Sequence, residues 1–162
     1  MALEVRTVRP TIHRPALERL TLGLLLFLGV TASLGGAAFV IAPVVVGEGE
    51  WFPQSWLEDI PLIDSWVVPG LVLGIGFGLG SLLTAYGMLR RPRWRWTFWA
   101  ERLTGQHWSW LASVLLGVGQ TTWIGLELAF IPFSFFHVVY GAVGLALLTL
   151  PFTRAVREDL RG

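Results

Sequence analysis

Glu127, His137, Tyr140, Gln120 and Trp123 are the side chains best placed to do chemistry in this sequence, because they are polar groups set within long uncharged stretches. An ionisable residue in such a stretch is a functional hypothesis by default, since hydrocarbon disfavours charge. Glu127 lies five residues before Pro132 and His137 five residues after it. A chain reversal at Pro132 therefore puts the two at similar depth, where they can pair. Trp123 is one helical turn from Glu127, Tyr140 about one turn from His137, and Gln120 about two turns from Glu127 on a roughly common face. This set can pass a proton, bind a cation or a ligand's polar group, or simply clamp two helices together. Glu127 is also only about three residues, roughly 4 to 5 Å, from the expected helix end, so a plain interfacial carboxylate is an equal alternative.

Other chemistry is poorly supplied. His13, His107 and His137 fall in an N-terminal arm, at one membrane interface and in the opposite half of the span, so no metal or haem ligand set is expected. The chain has no cysteine, which removes thiolate nucleophiles, thiolate metal sites and disulfides. There is no phosphate loop, no metalloprotease helix motif and no pair of carboxylates at helical spacing in an apolar stretch. The alternating Gly74, Gly76, Gly78 and Gly80 imitate a dinucleotide fingerprint but sit inside an apolar span. The expectation is a protein that is not an enzyme and has no obligate cofactor.

The elements that must position these residues follow from charge. No Asp, Glu, Lys or Arg occurs between Arg19 and Glu48, Asp64 and Arg90, Arg102 and Glu127, or Glu127 and Arg154. Each stretch exceeds the roughly 20 apolar residues needed to cross hydrocarbon. With 54% hydrophobic residues and mean hydropathy +0.63, the chain reads as an all-α polytopic membrane protein, a single-domain four-transmembrane-helix bundle. Proline positions put the spans at about 17–42, 69–89, 108–130 and 133–151. The apolar run after Arg19 imitates a secretory leader, with small residues from Ala32 to Ala38, but it continues to Val46 and reads as a span.

All 12 cationic side chains are arginine. They precede span one, lie between spans two and three, and follow span four, whereas the 43–68 loop carries only acids. The positive-inside rule then places both termini and the 90–107 loop in the cytoplasm. In the outer loop, Trp51, Phe52, Trp56 and Trp66 alternate with carboxylates, and Ser55 with Glu58 fits a capping box. Trp56, Leu57 and Ile60 are expected to face lipid headgroups, with a lid over an outward pocket as the alternative. In the inner loop, Arg90, Arg91, Arg93, Arg95, Trp94, Trp96 and Trp99 form a basic aromatic segment suited to anionic lipid rather than nucleic acid. Trp96, Trp99 and Leu103 share a face of an amphipathic interfacial helix.

Gly70, Gly74 and Gly78 make one row at four-residue spacing on span two, and Gly76 with Gly80 a second. Such rows let helices approach closely, or offer a smooth face to a second subunit or flat ligand. The stretch Gly117, Val118, Gly119, Gln120, Thr121, Thr122, Trp123, Ile124, Gly125, Leu126, Glu127, followed by Pro132, Phe133, Ser134, Tyr140 and Gly144, resembles small four-span integral membrane proteins of bacteria, commonly actinobacteria. That resemblance covers the last third of the chain and implies a bacterial cytoplasmic membrane, with no activity attached. Three functions follow as expectations. The first is an accessory or scaffold subunit in a homo-oligomer or larger membrane complex. The second is a small oligomeric transporter or channel using Glu127, and the third is a binder of a quinone, carotenoid or lipid between Trp123, Tyr140 and the glycine face.

Overall fold

The computed structural model describes residues 16–47, 53–57 and 63–161. Among these the chain is all-helical, and four helices are long and apolar enough to cross a membrane. They are α1 (Ala16–Val45), α2 (Val67–Arg90), α4 (Trp108–Phe130) and α5 (Phe135–Phe152). Two short helices, α3 (Phe98–Thr104) and α6 (Arg154–Asp159), lie at the arginine-rich end. The four long helices form a ring in which each packs on its neighbours in sequence and α5 closes back on α1. The protein is thus a multi-pass helical membrane protein.

Three boundaries differ from expectation, one being the start of α5 at Phe135 rather than about 133. Helix α1 runs through Pro43 to Val45, because a proline in the last turn forfeits one hydrogen bond without interrupting a continuing helix. Helix α2 starts two residues earlier than Pro69 and is π-helical from Val72 to Leu79. Three glycines, Gly74, Gly76 and Gly78, lie in that stretch, and residues without side chains lower the steric cost of its wider turn.

The glycine rows divide. A Cβ on Gly36 of α1 would stand 2.4 Å from the backbone nitrogen of Gly74 and 2.5 Å from the Gly70 carbonyl oxygen. One on Gly78 would meet Ser33 Oγ at 2.4 Å. The row Gly70, Gly74, Gly78 is therefore covered by α1, and the small residues resembling a leader cleavage site are its counterpart. Gly76 instead faces open space, and Gly80 approaches Leu116 of α4. Helices α4 and α5 cross equally tightly, since a Cβ on Gly117 would lie 2.4 Å from the Leu148 nitrogen.

The arginine-rich end is tied by directional bonds. Arg91, in a left-handed conformation at φ 49°, pairs with the Asp159 carboxylate, donates to its carbonyl at 2.8 Å, and lies 3.7 Å from the buried Glu18 carboxylate. The Pro92 carbonyl accepts from Trp108 Nε1 at 3.0 Å and contacts His107 Nε2 at 3.2 Å. Burial pushes the His107 imidazole below its usual range, against the Pro92 hydrogen bond, which pulls it up. Trp110 Nε1 donates to the Pro151 carbonyl at 2.7 Å, and the His107 amide to the Leu160 carbonyl at 2.7 Å. Because the Arg91 clasp joins α1, α2 and α6, Arg91→Ala is expected to cost about 1–2 kcal/mol, between exposed and buried ion pairs. A lowered thermal midpoint of the detergent-solubilised protein checks this.

Of the basic aromatic residues, Arg90, Arg93 and Arg95 are exposed, while Arg91 is engaged in the clasp. Trp94 turns inward, its ring stacked with those of Tyr86, Trp96 and Trp108. Trp96, Trp99 and Leu103 project outward at 64, 60 and 74% exposure, the apolar face of the 95–104 segment.

Candidate functional site

At the opposite, arginine-free end the ring does not close on itself. Beside the Phe27–Tyr140 ring contact, at 5.9 Å between centroids, lies a cavity of about 400 Å³. Its walls come from all four long helices and from the 53–66 segment. Helix α1 contributes Thr31, Gly35 and Ala38, residues too small to fill the gap that α5 leaves.

All five polar and aromatic residues singled out in the sequence line this cavity: Gln120, Trp123, Glu127, His137 and Tyr140. Regular α-helix geometry puts Gln120, Trp123, Ile124 and Glu127 on one face of α4. The 131–134 turn then brings His137 opposite Glu127, with His137 Nε2 3.8 Å from Glu127 Oε2. Trp123 Nε1 donates to Glu127 Oε1 at 2.7 Å. The Ser134 backbone N–H donates to His137 Nδ1 at 2.9 Å, which completes a reciprocal cap at the start of α5. An Nδ1 that accepts from an amide leaves the ring hydrogen of the neutral imidazole on Nε2.

Gln120 is different in kind. It is 1% exposed, and its Oε1 has no hydrogen-bond partner. A buried amide oxygen left unpaired costs about 1–3 kcal/mol, and Gln120 is one of the residues that line the cavity.

The 53–66 segment departs from expectation. Leu57 and Trp66 are buried, Trp56 is half-buried, and Trp56 and Trp66 line the cavity rather than facing outward. The Trp66 ring stacks on Phe39 of α1 at 5.1 Å and meets Trp56 edge-on at 6.5 Å. Burial against α1 outweighs headgroup anchoring for Trp56 and Trp66, which form part of the cavity wall. Gln54–Trp56 make a single 3₁₀ turn, and the expected Glu58 cap and Ile60 lie outside the described residues. A second cavity of about 300 Å³ lies beside the first and shares Phe39, Trp66, Trp123, Glu127 and Ile131 with it. Leu57, Pro69 and Leu126 are among the residues that complete it.

The proposed glycine wall is also displaced. Gly70, Gly74 and Gly78 are spent on α1, and the smooth side of the cavity is made by Gly35 and Ala38. Among the described residues no group of three or more His, Cys, Asp or Glu could hold a metal ion. The fold and site define a four-span membrane protein with an aromatic cavity at its arginine-free end. No known protein family, curated protein or solved structure matches the chain.

Proposed function

We propose that the protein is a non-enzymatic binding protein of the bacterial cytoplasmic membrane that holds a small amphiphilic molecule in its outer half. The observation that carries this reading is a cavity of about 400 Å³ lined by Gln120, Trp123, Glu127, His137 and Tyr140 together. That volume falls within the roughly 300–1,000 Å³ of small-molecule sites, whose walls are mostly apolar with a few placed polar groups. An accessory role in a larger complex is compatible with it, because such a protein presents or stores its ligand for others. Transport is less well supported for the single chain: past Gln120 the Gly117 contact brings α4 against the α5 backbone, and the Arg91 and Pro92 contacts tie the far end.

Orientation follows from the arginine clusters, with the cavity on the outer side. Because the chain lacks cysteine, single cysteines report topology cleanly. In intact cells, a membrane-impermeant maleimide is expected to label Ser55→Cys, and to label Leu103→Cys only after permeabilisation. The reverse pattern overturns the orientation. Ligand occupancy is tested by Ser134→Cys at the cavity edge, which should react more slowly in protein kept in its own membrane than in protein delipidated with detergent. Equal rates contradict an occupied site.

A further inference from the structure

We infer that the molecule this cavity takes is an amphiphilic organic cation, a quaternary or protonated amine carried on an apolar body. The inference rests on the ligand-binding reading and adds the ligand's charge.

Charge comes first. Among the described residues, Glu127 is the one Asp, Glu or Arg side chain lining either cavity. Every cationic residue of the chain lies at positions 6–19, 90–102 or 154–161, and the described ones belong to the far ends of the spans. An anionic ligand would therefore meet a carboxyl group and no counter-charge, whereas a cation would meet one. His137 does not satisfy the carboxylate by a hydrogen bond: its Nδ1 accepts from Ser134, and its Nε2 stands 3.8 Å away.

The walls point the same way. Phe39, Trp56, Trp66, Trp123, Phe136 and Tyr140 surround the space beside Glu127. Aromatic faces carry negative quadrupole charge and attract ammonium groups, most strongly where water is excluded, and such cages are how proteins recognise quaternary ammonium ligands. Gln120, whose amide oxygen has no hydrogen-bond partner, also lines the cavity. Carboxylate and aromatic rings both favour positive charge. The second cavity, sharing Glu127 and dominated by apolar residues, gives the ligand's apolar body a place next to its head.

The test compares two probes of nearly the same shape, benzyltrimethylammonium and uncharged neopentylbenzene, by titration calorimetry on protein in phosphatidylcholine nanodiscs, with empty discs as background. The cation is expected to bind saturably, at one per chain, and at least tenfold tighter than the neutral probe. Glu127→Gln should weaken the cation by about tenfold or more and change the neutral probe by less than about twofold. Equal affinities for the two probes would overturn the cation assignment and leave the cavity as a neutral-ligand site, with quinones and carotenoids as its occupants. Failure of the cation to bind at all would overturn it as well, and the occupancy of the protein in its own membrane then decides separately whether the cavity holds anything. Should Glu127→Gln fold poorly, the ratio of the two affinities in the wild-type protein still decides the question.

Discussion

Gly36→Ala is expected to lower the stability of the bundle by about 3 kcal/mol or more. The new Cβ would lie 2.4 Å from the Gly74 nitrogen, 2.5 Å from the Gly70 carbonyl oxygen and 2.5 Å from the Gly74 Cα. All three are backbone atoms, so no rotamer change relieves the clash, and α1 and α2 must separate. Membrane helices associate through close van der Waals contact rather than hydrophobic drive, so separation forfeits what holds them. Overpacking in cores costs about 1–3 kcal/mol when side chains can yield, and here they cannot. Gly76→Ala is the matched control. Nothing lies within 4 Å of its added Cβ, and alanine is favoured over glycine in a helix interior by about 1 kcal/mol, so this variant should be as stable as the parent or more so. Thermal unfolding of the two variants in the same detergent checks both outcomes.

Gln120→Leu is expected to stabilise the empty protein and impair the occupied one. Removing a buried amide oxygen that has no partner should raise stability by about 1–3 kcal/mol. The same change deletes an acceptor from the cavity wall and should weaken ligand binding by roughly tenfold. Opposite signs distinguish a binding residue from a packing residue, since a glutamine that served only the fold would lose stability on replacement. Thermal midpoints of delipidated protein, set beside the ligand content of protein taken from its own membrane, read the two effects separately.

The four spans were legible because charge marks their ends: the uncharged stretches between Arg19, Glu48, Asp64, Arg90, Arg102 and Arg154 leave little choice of boundaries. The Glu127–His137 approach was legible because Pro132 sits midway between them and forces the reversal that pairs them. The α1 wall was not, because Thr31, Gly35 and Ala38 carry no chemistry, and their partner Tyr140 is more than a hundred positions away in sequence. The same small residues read as a leader cleavage site when considered alone. The general preference of tryptophan for interfaces places Trp56, with Leu57, at the headgroups, and only the packing of Trp66 on Phe39 and of Trp56 on Trp66 turns that segment's tryptophans inward. The Arg91–Asp159 clasp joins residues 68 apart, and no local pattern announces it. The π-helical stretch of α2 likewise has no periodic signature, since its glycines fit a regular helix as well.

The central claim is that the cavity bounded by Gln120, Glu127, His137 and the aromatic rings is a ligand site. Native mass spectrometry of the protein released gently from its own membrane tests it most directly. A small molecule is expected at one per chain, retained by Gly76→Ala and lost or strongly depleted in Gln120→Leu. A bare chain, alone or in a complex with other proteins, or an adduct that survives Gln120→Leu undiminished, would contradict it.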